Sequence, residues 1–356
     1  MQIETPDVVV VGLGPAGSRA AATAAAAGLN VIALERRETA GTPVQCAEFV
    51  PALIEHDIAG VHAVTEQKVT RMLTFVGQQQ PEVTEHFQGL MIDRARFDRM
   101  LAQEAALNGA ECRYGEAVWS IDALGTVQTS AGARLRPQVL IGADGPHSAV
   151  GTAIRQINRS LVETRQVTVP LVLPHDATDI FLSADYRGGY AWLFPKGAVA
   201  NIGLGVAVEA RSSLKPMLAA LCEKIANERR IGTRAFALTG GAIPVGGRLQ
   251  SIGFLGRTAV LLAGDAAGLT NPVTGAGIAS AVQSGALAGR AAADFLSDGG
   301  GAIEDYEEEL SDIFDAALNR ALRRRSDVLA CYANAGRPDA RTLSDGWIAS
   351  PHYWAA

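Results

Sequence analysis

The sequence predicts an α/β chain: a Rossmann-like dinucleotide-binding domain, an inserted antiparallel-sheet domain and helices at the C-terminal end. Three observations predict it. Four consecutive valines, Val8 to Val11, run straight into G-L-G-P-A-G at Gly12 to Gly17. Four strand-like segments (165–174, 178–184, 189–195 and 198–207) follow one another with only Pro, Gly and Asp turns between them. Residues 303–333 carry leucine, isoleucine and phenylalanine at helical spacing.

The first element is a buried strand, because a short β-branched run without alternation reads as a strand covered on both faces. An alanine-rich helix follows, to Ala27, with Gly28 as its C-cap. Val31 to Glu35 is the second strand, which completes a β-α-β unit ending in an acid. A helix is expected over Arg96 to Asn108, strands over 111–121 and 125–130, and a buried strand over Leu135 to Ala143 leading into G-A-D-G. The four strands of the 165–207 region, with no helix between them, imply antiparallel pairing. Residues 213–229 read as a helix, Thr258 to Ala263 as a buried strand ending in G-D-A-A-G, and Gly275 to about Leu296 as a Gly/Ala-rich helix. In the 303–333 helix the acids come first and Arg323, Arg324 and Arg325 last, the order the helix dipole favours. These arginines read as a solvated helix end.

Composition sets the outer limits. A chain of 356 residues allows about two domains. With 48% hydrophobic and 19% charged residues it is no disordered polyelectrolyte. Its net charge of −6 argues against nucleic-acid binding, which needs a basic surface. Cys46, Cys112, Cys222 and Cys331 are too widely spaced for a C-x-x-C pair and too few for a disulfide framework. The acidic start M-Q-I-E-T-P-D lacks a signal-peptide pattern, and no apolar run is long enough to span a membrane. A cytoplasmic protein with at most peripheral membrane contact is expected. The six histidines have no metal-ligand spacing, so no metal site is assigned.

G-x-G-x-x-G alone is a weak signal, but here it joins a strand to a helix. Gly12 permits the tight turn, Gly14 lets backbone N–H groups approach a pyrophosphate, and Gly17 lets the helix lie against the strand. The helix N-terminus adds positive partial charge. Glu35, eighteen residues after Gly17, is placed to accept ribose hydroxyls and disfavours a 2′-phosphate. Two distant segments decide between FAD and NAD. G-A-D-G-P-H-S (Gly142 to Ser148) and L-L-A-G-D-A-A-G (Leu261 to Gly268) each follow a buried strand. Asp265 could hold ribityl hydroxyls, and Gly275 and Gly277 could present N–H groups to a flavin ring edge. Asp144 and Asp265 could also be turn or cap aspartates.

Together these three motifs resemble the p-hydroxybenzoate-hydroxylase-like FAD superfamily. T-P-V-Q-C-A-E-F-V (Thr42 to Val50), I-D-R-A-R-F-D-R-M-L (Ile92 to Leu101) and Y-A-W-L-F-P-K-G (Tyr190 to Gly197, then Gly203 and Gly205) narrow the resemblance to the geranylgeranyl reductase family, over residues 6–300. Phe49 departs from the small residue usual after C-A-E, and the C-terminal segment is distinctive. The resemblance implies FAD contacts at Ala16, Glu35, Cys46, Ala47, Phe49, Arg94, Val118, Asp265, Gly277 and Ile278; Arg36, Asp144, Gly275 and the phosphate glycines complete the candidate cofactor site. Arg94 could anchor diphosphate or ribityl oxygens. Cys46 is either a proton donor beside the flavin or a small packing residue.

Tyr190, Trp192 and Phe194 alternate along one strand and so share a face. By the resemblance this sheet roofs the flavin ring and lines a lipid pocket; otherwise the stripe is sheet core. With Cys46 these three are the candidate catalytic residues. The resemblance implies an FAD-dependent reductase of carbon–carbon double bonds in a prenyl chain: reduced flavin gives hydride to one alkene carbon and an acid protonates the other. With no second G-x-G-x-x-G, electrons come from an external donor, NAD(P)H or ferredoxin-type. A flavin monooxygenase acting on an aromatic small molecule or a protein side chain is the alternative. The expected domains are a discontinuous FAD-binding domain (1–60, 86–150 and 245–300), a substrate domain (61–85 and 151–244) and a helical segment (301–356). W-I-A-S-P-H-Y-W, Trp347 to Trp354, is expected to dock on the body.

Overall fold

The computed structural model describes residues 3–77, 79–334 and 336–355. Met1 and Gln2 of the opening segment, with Gln78, Ala335 and Ala356 of the expected domains, lie outside the described residues.

Val8–Val11 is the central strand of a six-stranded sheet. It pairs in parallel with Val31–Glu35 on one side and Val139–Gly142 on the other. Glu111–Tyr114 and Thr258–Leu262 extend the parallel set, and Ile252–Leu255 closes one edge antiparallel. All four valines are buried, as their uninterrupted apolar run requires. Helices Pro15–Ala26 and Ile278–Asp298 lie against each other almost backbone to backbone. A Cβ on Gly285 would stand 2.1 Å from the Ala16 carbonyl oxygen. Only small side chains permit that approach, which explains the Ala/Gly composition of both helices.

A second sheet stands beside this domain. Leu161–Pro170, Val199–Ala207, Ala191–Lys196 and Ala177–Leu182 pair antiparallel in that spatial order. The sheet is not wholly antiparallel, however. Arg71–Val76 adds to Ala177–Leu182 in parallel, because it arrives from a distant part of the chain and not through a hairpin. Helix Leu214–Asn227 covers one face, packing Leu214, Leu218, Leu221 and Ile225 against Leu193, Ile202 and Leu204. The alternate residues Trp192 and Phe194 face the other way.

Three local expectations need correction. The strand expected over 135–143 breaks, Arg134–Leu135 joining a small antiparallel sheet and Val139–Gly142 the main one. Pro137 lies between them and has no N–H for a ladder. The 303–333 helix is interrupted by a π-turn at Ser311–Asp315. Asp315 there takes the guanidinium of Arg248 at 2.7 and 2.9 Å. The three arginines are not a uniformly solvated end. Arg324 donates to the carbonyls of Tyr353 and Ala355 at 3.3 and 2.6 Å. Arg325 donates to those of Gly188 and Pro272 at 2.5 and 3.3 Å, and burial pulls its pKa down to about 10. A long side chain can carry its charge inward when carbonyl oxygens satisfy the N–H groups.

Candidate active site

The glycine turn begins where strand Val8–Val11 ends. Gly12 has φ +95°, and a Cβ there would meet the Ala143 carbonyl oxygen at 2.5 Å. Gly17 is tighter still, with its hypothetical Cβ 1.7 Å from the Gly12 oxygen. Gly14 differs from both. Its φ is −77°, and a Cβ would meet no atom within 4 Å. The fold therefore does not require glycine at position 14; an approaching ligand backbone would. Beyond it, Ala16 and Gly17 lie in the first helical turn, whose N–H groups have no intrahelical acceptor. The Glu35 carboxylate accepts the Leu13 and Arg37 N–H groups at 3.0 Å each, which fixes it at the mouth of the turn.

The second cluster brings together residues far apart in the chain. Arg94 opens helix Arg94–Leu107 and grips Asp98, one turn on, through two bonds of 2.8 and 3.1 Å. Burial alone would lower the Arg94 pKa, but the Asp98 carboxylate and the Cys46 sulfur outweigh it and hold the guanidinium charged. Asp265 is partly buried. Burial raises its pKa, while Thr270, donating at 2.5 Å, and the Arg94 charge oppose the rise. Gly277 caps helix Ile278–Asp298 beside the same aspartate, with a hypothetical Cβ 3.2 Å from its oxygen. Gly275 closes the preceding turn at φ +69°, donating to the Asn271 carbonyl. Ile278 packs toward Val50, Leu90 and Phe97. Arg94, Cys46, Asp265 and the 275–278 turn thus form one continuous wall that could hold a flavin dinucleotide reaching over from Gly14.

Cys46 is fixed from three sides. The Glu48 N–H donates to its sulfur at 3.1 Å, and the Gln166 amide donates to its carbonyl at 3.0 Å. The sulfur also interacts with Arg94. Gln166 in turn accepts the Trp192 indole N–H at 3.0 Å, tying the cysteine turn to the aromatic strand. Tyr190 donates its hydroxyl to the Thr274 carbonyl at 2.6 Å, and burial raises its pKa. Its ring lies 5.7 Å from Trp192, and Trp192 lies 6.2 Å from Phe194. Phe49 joins this wall at 5.7 Å from Phe194 and stacks on Phe87 at 5.5 Å. Ala47 packs in the same group. The expected common face of Tyr190, Trp192 and Phe194 is therefore present, and it meets Cys46.

Not every expected residue reaches the site in the same way. Asp144 is a cap: its carboxylate takes the Ser148 hydroxyl at 2.5 Å and the Ala149 N–H at 2.7 Å. Arg36 is exposed, and its neighbour Arg37 reaches instead to Pro43 and Gln45. Val118 opens strand Val118–Ile121 and packs against the main core. The sequence reading missed Glu48. This buried acid has φ +70° and accepts from Lys196 at 2.8 Å, Asn201 at 2.9 Å and the Arg94 N–H at 3.0 Å. Its signal was available, since it is the only acid in Thr42 to Val50. Gln166 carried no such signal. The closing segment docks on the body as expected and also packs against the aromatic wall, with Trp347 4.8 Å from Tyr190. Among the described residues no group of three or more His, Cys, Asp or Glu side chains could hold a metal.

A model of the geranylgeranyl reductase catalytic domain matches residues 162–242, and a lycopene cyclase model matches residues 7–188. The chain is 30% identical to the digeranylgeranylglycerophospholipid reductase of Methanosarcina acetivorans, over 95% of this chain and 88% of that protein. A geranylgeranyl bacteriochlorophyll reductase-like protein from Thermoplasma acidophilum superposes with a TM-score of 0.84 at 26% identity, over 96% and 90% of the two chains. A probable FAD-dependent monooxygenase from Pseudomonas aeruginosa superposes with a TM-score of 0.71, over 96% and 99% of the chains. At 16% identity that last likeness is one of fold alone.

Proposed function

The chain belongs to the geranylgeranyl reductase family of FAD-dependent oxidoreductases, and we propose that it binds FAD along the wall from Gly14 to Gly277 and works on a prenyl lipid lying against Tyr190, Trp192 and Phe194. Its reaction is the reduction of carbon–carbon double bonds of a prenyl chain. The single observation that carries the cofactor assignment is Gly14, where a Cβ would meet no protein atom within 4 Å while Gly12 and Gly17 are packed shut. The relatives' name makes a digeranylgeranyl glycerophospholipid the first substrate to try.

When bound and reduced, FAD supplies a hydride to one alkene carbon. The protein has four tasks around that event. Gly14, Ala16 and Gly17 would receive the diphosphate on backbone N–H groups, and Glu35 would receive ribose hydroxyls. Asp265 and Arg94 would hold the ribityl chain with one acceptor and one donor. The aromatic wall excludes water from an unactivated alkene, which is a poor acceptor unless a proton arrives with the hydride. Cys46 Sγ holds that proton. The Glu48 N–H, donating at 3.1 Å, positions the sulfur. An external donor, NAD(P)H or ferredoxin-type, would supply the next two electrons, and solvent would return a proton to Cys46.

We place the enzyme in the cytoplasm, in peripheral contact with the membrane that supplies its substrate. Two observations support this: the four cysteines are free thiols, and no helix among the described residues is long and apolar enough to cross a membrane.

The test is an anaerobic one. Flavin-loaded protein is reduced with dithionite, then given the prenyl lipid, and the flavin spectrum and product mass are followed. Reoxidation with a gain of two hydrogens per bond is expected, and Cys46→Ser should retain flavin while losing this reaction. A reduced protein that ignores the lipid but consumes oxygen to hydroxylate an added aromatic compound would sink the proposal.

A further inference from the structure

A prenyl chain is nearly featureless, so a wall of aromatic rings cannot by itself decide which double bond lies over the reacting centre. The aromatic rings of the wall carry three polar atoms that could read a chain's end. Two are committed: Tyr190 donates to the Thr274 carbonyl at 2.6 Å and the Trp192 indole to Gln166 at 3.0 Å. The third, Nε1 of Trp347, is buried and has no hydrogen-bond partner among the described residues. A buried indole N–H normally finds an acceptor, because an unpaired donor forfeits its hydration without compensation.

Trp347 is also held in place. It lies in the turn after helix Ala340–Asp345, its own N–H donating to the Ser344 carbonyl at 2.9 Å. On helix Ala316–Asn334, Arg324 binds the carbonyls of Tyr353 and Ala355 behind it, and Arg325 ties that helix to Gly188, two residues before Tyr190. The ring is packed with Ile180, Trp192, Phe194 and Leu343 and is only 4% exposed. A rigid donor with no partner stands at the edge of the prenyl wall.

We propose that Trp347 Nε1 donates to the oxygen that joins the prenyl chain to its head group and thereby sets the register of the chain, and so the order in which its double bonds are reduced. This rests on the prenyl-reductase reading above and names a specificity-determining residue for that site. The acceptor is an ether, ester or phosphate oxygen at the proximal end of the chain; the distal end has none to offer.

The experiment uses flavin-loaded wild type and Trp347→Phe, which keeps an aromatic body and removes only the N–H. Two substrates are compared: a geranylgeranyl glycerol ether, and the same chain with a methylene in place of the ether oxygen. Wild type should prefer the ether and reduce its bonds in a fixed order. Trp347→Phe should raise KM for the ether about five- to tenfold, the scale of one hydrogen bond, and scramble the order. It should change KM for the methylene analogue clearly less than for the ether. Trp347→His, which restores a ring N–H, should recover part of the order. Equal loss on both substrates, or none on either, overturns the assignment and leaves Trp347 a packing residue. If Trp347→Phe loses its flavin or its fold, the wild-type comparison decides: equal KM values and equal bond order on ether and hydrocarbon overturn the assignment. Failure of wild type to reduce either substrate overturns the function reading itself, a separate outcome.

Discussion

Replacing Glu48 tests whether the site is held together by charge or by packing. Its carboxylate joins three parts of the chain: Lys196 at the end of the aromatic strand, Asn201 on the next strand, and the backbone N–H of Arg94. Glu48 is 6% exposed, and the Lys196 side chain retains only 18% of its accessibility. Alanine at 48 would leave an ammonium and a backbone N–H without this acceptor, and the Asn201 amide with only the Ala47 carbonyl at 3.3 Å. Removing one partner of a buried ion pair costs about 3–5 kcal/mol, against a total stability of about 5–15 kcal/mol for a typical domain. A second term runs the other way. Glu48 sits at φ +70°, where a non-glycine residue is strained by about 1–3 kcal/mol, so Glu48→Gly sheds that strain while losing the same acceptor. The ordering expected in urea unfolding is wild type, then Glu48→Gln, then Glu48→Gly, then Glu48→Ala. Flavin content should fall in parallel, because the Glu48 N–H also holds the Cys46 sulfur. If Glu48→Ala unfolds within about 1 kcal/mol of wild type, the usual range of an inert surface change with two-fold allowance, the carboxylate is not the tie this geometry implies. If Glu48→Gly is more stable than wild type, backbone strain and not the ion pair governs the turn.

Gly14→Ala and Gly17→Ala should separate ligand from fold. The first has open space and an ordinary φ, so the apo-protein should be unchanged in thermal midpoint or slightly more stable, by about 0.4–1 kcal/mol. Its FAD affinity, measured by fluorescence titration, should drop at least about tenfold, as about 1.4 kcal/mol of steric conflict would produce. The second collides with the Gly12 oxygen and should not fold. A Gly14→Ala protein that binds FAD normally would remove the main support for the dinucleotide site. Asp265→Asn should act through pH. Burial raises the Asp265 pKa above its unfolded value, so the native apo-protein binds that proton more tightly than the unfolded chain does. The carboxylate's contribution is therefore most favourable in acid and is lost as pH rises through the folded pKa. Apo Asp265→Asn should be more stable than wild type at pH 7, with the gap closing toward acid, while binding FAD less well. A gap that widens toward acid would mean that Arg94 and Thr270 outweigh burial.

Much of this architecture is local and so was open to reading. Val8–Val11, the glycine turn and the helix behind it are determined by side-chain size and backbone freedom over a dozen neighbouring residues. The common face of Tyr190, Trp192 and Phe194 follows from the two-residue period of a strand and needs no knowledge of what lies opposite. The expectation failed where a distant segment decided the outcome. Nothing near Ala177–Leu182 tells that its second neighbour is Arg71–Val76, and that the pair is parallel. Nothing near Arg325 tells that carbonyls 137 and 53 residues away will receive its guanidinium. A cluster of arginines at a helix end favours solvent by default, and only the tertiary partner reverses that.

The same distinction explains why Glu48 and Gln166 escaped notice although the residues around them did not. Motifs are legible when the chemistry needs a particular side chain at a particular spacing, as the glycines and Cys46 illustrate. Glu48 and Gln166 do something else. Gln166 bridges the Cys46 carbonyl and the Trp192 indole across 120 and 26 residues of sequence, and Glu48 bridges Arg94 and Lys196 across 46 and 148. They set the distance between the cysteine turn and the aromatic strand, which in the proposed function are the nucleotide side and the substrate side. A hydrogen bond fixes such a distance to within a few tenths of an ångström, where apolar contact would let the two units slide. A reductase that must deliver hydride and proton to adjacent carbons depends on that distance more than on the identity of either wall. The polar residues between the walls are therefore as much a part of the site as the walls, and their substitution should alter turnover before it alters binding of cofactor or lipid alone.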